Sequence, residues 1–147
     1  MTHTTRRTIL RAASLIPLAG LAWGTVAYAQ GSPKRSRVVI QVTDNDPARW
    51  NLTLNNTRNV QEDLGAANVD IEIVAYGPGI NMLKADSVVA TRIADAVNAG
   101  VKVVACENTM RNSKLTKAEM STAVGYVPAG VVEIMQKQSE GWAYLRP

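Results

Sequence analysis

Beyond position 36, short apolar runs and helix-spaced apolar faces take turns along the chain. Residues 37–43, "RVVIQVT", are β-branched and apolar enough for a strand buried on both faces, which a central strand of a parallel sheet needs. In the "DNDP" that follows, Asp46 suits a helix N-cap, and Pro47 suits the first helical position, where a missing N–H costs nothing. The helix so predicted runs to about Leu64, with Trp50, Leu54, Gln61 and Leu64 on or near one face, and Gly65 stops it. Residues 69–76, "VDIEIVAY", alternate at first and end fully apolar, a second strand broken by Gly77-Pro78-Gly79. A second helix is predicted from about Asp86 to Ala99, turning Val89, Ile93, Ala96 and Val97 inward and ending at Gly100. Residues 101–105 make a third strand that delivers Cys106. Thr116 and Glu119 have the capping-box spacing for a short helix from residue 117. Residues 126–128 read as a brief extended piece, 129–138 as a helix and 142–145 as a last strand.

Strand and helix alternating, with crossovers of a dozen or more residues, predict an α/β fold: a mainly parallel sheet with helices on both faces. In such sheets ligands bind beyond the carboxyl ends of the strands, near the point where strand order reverses. Three segments read as loops fall on that rim: "TDNDP" (43–47), "YGPGINML" (76–83) and "CENTM" (106–110).

The first thirty residues have a different character. Arg6 and Arg7 precede a largely apolar run from Ala12 to Val26, and Ala27-Tyr28-Ala29 ends it with the small-x-small pattern of a signal-peptidase site. The segment resembles a twin-arginine signal peptide covering residues 1–29, which predicts export of a folded protein to the periplasm. An ordinary secretory signal and an uncleaved anchor remain as alternatives, since the run from Ala12 to Ala29 is nearly long enough to span a bilayer. Residues 30–36 form a polar lead-in, and 37–147 one domain of ordinary size.

Cleavage changes what charge implies. Three of the sixteen basic residues (Arg6, Arg7, Arg11) and none of the twelve acids leave with the leader, so the formal charge falls from +4 to +1. The mature chain gives no reason to expect nucleic acid as a partner, nor a membrane once the signal is removed.

"VVIQVTDNDPARWNLTLNN", "IEIVAYGPGINML" and "VVACENTM", in that order and spacing, resemble the DsrE/DsrF-like sulfur-relay family, in its exported single-domain branch. The resemblance covers about Val38 to Leu145. It implies a three-layer α/β/α sandwich assembling as a homotrimer or homohexamer. It further implies a single cysteine carrying sulfur as a persulfide, here Cys106, and as partners sulfur donors and acceptors, either proteins or small sulfur compounds. Relay members work in the cytoplasm, whereas this chain reads as exported.

Cys106 is the only cysteine, and an unpaired thiol in an oxidising compartment is either hidden or used. Its place at the end of an apolar strand, before a polar segment, favours a solvent-facing rim. Backbone N–H groups with Asn108 and Thr109 would favour its thiolate, Arg111 or Lys114 would add to this, and Glu107 would oppose it if its carboxylate turned toward the sulfur. Gly77, Gly79, Asn81 and Asn45 complete the candidate ligand-binding rim. Gly77 and Gly79 answer equally to a tight turn and to close approach of a ligand. An alternative is a non-catalytic module binding a small ligand, or Cu(I) through Cys106, Met110 and Met82. Against that, methionines commonly fill core gaps. The only histidine, His3, leaves with the signal and there is no CxxC pair, so neither a zinc site, a Cys–His dyad nor dithiol chemistry is expected, and no cofactor.

Overall fold

The computed structural model describes residues 35–147; the expected signal peptide and most of the lead-in lie outside them. β1 (Ser36–Val42) and β2 (Val69–Ala75) pair in parallel along their whole length, Ser36 opposite Val69 and Val42 opposite Ala75. β3 (Lys102–Cys106) pairs with β2, and β4 (Gly125–Val127) with β3; β5 (Ala143–Leu145) returns to the free edge of β1. Among the described residues all strand pairings are parallel and the order is β4-β3-β2-β1-β5; one isolated antiparallel bridge, Lys84 to Met120, lies outside the strands. Each connection is therefore a crossover, and strand order reverses between β1 and β5. Cys106, at the end of β3, stands two strands from that reversal and not beside it.

The side-chain period of two divides the strands between two cores. Val38, Ile40 and Val42 of β1, Ile71, Ile73 and Ala75 of β2, and Val103 and Ala105 of β3 face one layer. α1 (Pro47–Leu64), α2 (Ala90–Asn98) and α3 (Glu107–Asn112) cover it through Trp50, Leu54, Ile93 and Met110. The opposite face is smaller: Val39, Val74, Val104 and Val127 pack against Ile134 of α4 (Gly130–Ser139). These layers make the three-layer α/β/α sandwich. Among the described residues no helix is long and apolar enough to cross a membrane.

α1 begins and ends where expected. Asp46 caps it, its carboxylate accepting the Ala48 N–H at 2.8 Å, Pro47 opens it and Gly65 closes it at φ +82°. Its buried face is Trp50, Thr53, Leu54 and Thr57; Leu64, expected on that face, is exposed. Thr53 and Thr57 are buried because their hydroxyls donate to carbonyls one turn back, Arg49 and Thr53. α2 starts at Ala90, four residues later than expected, because turns closed by Ser87 N–H to Lys84 and Ala90 N–H to Ser87 occupy the intervening chain.

Two of the three rim segments are not loops. Gly77–Leu83 winds into a 3₁₀ helix, and the residues after Cys106 form α3. Beneath α4 lies a buried carboxyl group the alternation did not foretell: Glu72 is fully enclosed, with Lys102 Nζ 3.2 Å from Oε1 and Lys137 Nζ 3.4 Å from Oε2. Burial, then a hydrogen bond with the Glu133 carboxyl, raise its pKa against the pull of the two lysines.

Candidate functional site

Cys106 is both the last residue of β3, opposite Val127, and the N-cap of α3. Its sulfur takes the place of a capping oxygen, accepting the Thr109 N–H at 3.5 Å. The strand period turns the side chain, like that of Val104, to the α4 face of the sheet. It is not the solvent-facing thiol expected: only 5 % of the residue is exposed. A strand end that becomes a helix without a connecting loop leaves little room for solvent.

Burial alone pushes the thiol pKa up. The Thr109 hydroxyl, then the N–H groups of Gly130, Thr109 and Asn108, outweigh it and bring the thiol below its ordinary value. The Asn108 N–H is shared, since it also donates to the Pro128 carbonyl at 3.1 Å. Glu107 does not spoil this balance: its carboxylate is held by Lys117 at 3.1 Å. Arg111, expected near the sulfur, instead donates to the Asn108 side-chain oxygen. That engages the Asn108 amide with Arg111, so this residue acts on the sulfur through its backbone. Neither Arg111 nor Lys114 is among the main influences on the thiol.

The neighbouring rim segments are tied to one another. The Gly77 N–H donates to Thr109 Oγ1 at 3.0 Å, and Asn81 Nδ2 donates to Asn45 Oδ1 at 3.3 Å. Gly77 takes φ +53° with open space where a side chain would stand. Gly79 differs, because a Cβ there would lie 2.4 Å from the Val42 carbonyl oxygen. Its glycine is required by close packing beneath β1. A cleft of about 440 Å³ opens beside Thr109 and is lined in part by Gly77, Asn81, Asn112 and Ser113. Cys106, Asn108, Gly79 and Asn45 do not line it.

The two methionines proposed as soft ligands lie in the larger core, Met82 fully buried and Met110 nearly so, on the face of the sheet away from Cys106. Among the described residues no three His, Cys, Asp or Glu side chains converge to hold a metal ion.

A model of the DsrE/DsrF-like family matches residues 36–147. The chain belongs to the DsrE/DsrF-like family. A protein of unknown function from Methanobacterium thermoautotrophicum, MTH1491, is 38 % identical and superposes with a TM-score of 0.73 over 76 % of this chain and 99 % of its own. Two further structures match at a TM-score of 0.64 and 14 % identity (BT1422 of Bacteroides thetaiotaomicron, 80 % of this chain and 99 % of its own) and at 0.61 and 13 % (the YchN protein of E. coli, 76 % and 99 %). At those identities they show the fold alone. Comparison with curated proteins finds no match.

Sequence reasoning missed Gly130. One signal was present: "PAG" precedes the apolar face of a helix without any of the side chains that ordinarily cap one, and α4 has no side-chain cap.

Proposed function

We propose that this DsrE/DsrF-like protein handles sulfur in the periplasm, binding or transferring sulfane sulfur as a persulfide on Cys106. The observation that carries the reading is the sulfur's surroundings, where the Thr109 hydroxyl and N–H and the Gly130 N–H lower the thiol pKa despite burial. Family membership supports a sulfur-relay role. Arg6-Arg7 and the apolar run after them support twin-arginine export. Assembly as a homotrimer or homohexamer is part of the same reading, supported by Val131, Val132 and Met135, which stand exposed on α4.

The Cys106 thiolate attacks the outer sulfur of a sulfane donor. A bond forms between that sulfur and Sγ as its bond to the donor breaks, and the electron pair leaves with the donor fragment. An acceptor thiolate then attacks the outer sulfur, and Cys106 departs as thiolate. No external oxidant or reductant is consumed. The donors around Sγ stabilise the negative charge at the start and at the end of the cycle.

Intact-mass spectrometry after incubation with polysulfide or thiosulfate tests the reading. A gain of about 32 Da, one sulfur atom, confined to Cys106 and absent from Cys106→Ser, is the expected result. A wild-type protein that gains no such mass is a binding module and not a sulfur carrier.

A further inference from the structure

We infer that α4 is a lid over Cys106, latched to the sheet by two lysines and two carboxyl groups and able to open while the rest of the fold stays closed. The inference rests on the reading of Cys106 as the sulfur nucleophile and supplies the route by which a sulfur donor reaches a residue that is only 5 % exposed.

The placement of α4 over the sulfur follows from strand register. Ala75 of β2 lies opposite Ala105 of β3, Tyr76 keeps an extended backbone (φ −150°, ψ 174°), and its N–H donates to the Val42 carbonyl at 3.1 Å, so the ladder runs one residue past β2. Tyr76 is therefore the lateral neighbour of Cys106 on the α4 face, as Val127 is on the other side. The first residue of α4 sits on that row: a Cβ at position 130 would stand 3.0 Å from Tyr76 Cδ1 and 3.2 Å from Tyr76 Cβ.

Little apolar contact fastens this helix. Its inner face is Gly130, Glu133, Ile134 and Lys137, spaced three and four residues apart, and Ile134 is its one buried apolar side chain, while Val131, Val132 and Met135 are exposed. The remaining hold is polar. Lys137 Nζ lies 3.4 Å from Glu72 and 3.6 Å from Glu133, and Lys102 Nζ lies 3.2 Å and 3.8 Å from the same two carboxyl groups. Glu72 and Lys102 belong to the sheet, Glu133 and Lys137 to the helix, so the four span the seam between them. Glu140, at 4.0 Å, and the Trp142 ring, at 4.7 Å, also face the Lys137 ammonium. Buried ionic contacts add little net stability once desolvation is counted, and segments with few buried apolar contacts open at a lower free energy than the whole fold.

The test compares two probes of opening on the folded wild-type protein, at one protein concentration and one pH above the Cys106 labelling midpoint. One is the iodoacetamide rate at Cys106 relative to a free cysteine; the other is amide hydrogen exchange along the chain. If one opening exposes both, the slowing of Cys106 labelling should match that of α4 exchange within about threefold, and the β1 and β2 amides should be protected at least about tenfold more strongly. Lys137→Met, which leaves Glu72 with Lys102 alone, should speed Cys106 labelling and α4 exchange together by about tenfold or more. A thiol protected as strongly as the β2 amides overturns the inference, as does one labelled at the free rate while α4 stays protected, or a folded Lys137→Met protein with the wild-type labelling rate. Failure of the nucleophile reading looks different: the labelling midpoint follows the thiolate fraction of the closed protein and would then not lie below that of a free cysteine.

Discussion

The Gly77 N–H donates to Thr109 Oγ1 at 3.0 Å. A hydroxyl has one proton, and accepting the Gly77 N–H leaves that proton free to point to Cys106 Sγ while the Thr109 N–H reaches the same sulfur at 3.5 Å. The turn after β2 thus sets the donor that acts on the residue ending β3. Thr109→Val removes the hydroxyl at nearly constant volume. It should raise the midpoint of Cys106 alkylation by about one unit and cost about 1 kcal/mol of stability through the orphaned Gly77 N–H. Thr109→Ser should keep the midpoint near wild type. Alkylation rates against pH and urea melts check both.

The two glycines of "GPG" should part company on substitution. Gly79→Ala drives a Cβ to 2.4 Å from the Val42 carbonyl oxygen and should cost several kcal/mol or prevent folding. Gly77→Ala meets no atom and is left with the strain of φ +53°, about 1 kcal/mol. Denaturant midpoints for the two variants decide whether this turn is built for packing at one glycine and conformation at the other.

Much of this was legible in the chain. The strands, α1 with Asp46, Pro47 and Gly65, and the parallel arrangement follow from local signals: apolar runs, a cap, a proline and a glycine, each acting within a few residues. What was not legible depends on partners far away in sequence. Glu72 stands in "VDIEI", where alternation reads as one face to solvent, yet α4 returns from beyond residue 129 to cover it with Lys137 and Glu133. α3 escaped because its cap is a cysteine, not one of the usual oxygen-bearing residues, and only Met110 of the helix is buried. Gly130 could not be tied to Cys106 at all, since only the fold brings the two together.

Glu72 yields a pH dependence. Its folded pKa is raised, so the folded state holds the proton to higher pH than the unfolded chain does. The stabilisation this provides is complete below the ordinary 4.5 and is lost as pH rises through the folded value. Lys137, also raised because Glu72 and Glu133 outweigh its burial, loses its contribution only above 10.5. Glu72→Gln carries no titrating group. Its stability relative to wild type should therefore climb as pH rises from about 4.5 through the folded value, in urea melts at a series of pH values. A gap that narrows or stays flat would contradict the assigned shift.

Exposed apolar residues on α4 carry the expectation of assembly. Met135 is 61 % exposed and Val131 52 %, on the one helix among the described residues that packs on the second face of the sheet. Light scattering at micromolar concentration should give a trimer or larger, and Met135→Glu should shift it toward monomer by placing a charge in the contact. A monomeric wild-type protein removes this part of the account.

Alkylation of the native protein puts the central claim most directly to the test. Cys106 is nearly buried, yet the donors from Thr109 and Gly130 hold its thiol below the ordinary value. Iodoacetamide should therefore label the folded wild-type protein at Cys106, with a pH midpoint below the roughly 8.5 of a free cysteine. A native thiol that resists labelling until the protein unfolds, or one with a midpoint above the free value, would contradict the assignment of Cys106 as the sulfur nucleophile.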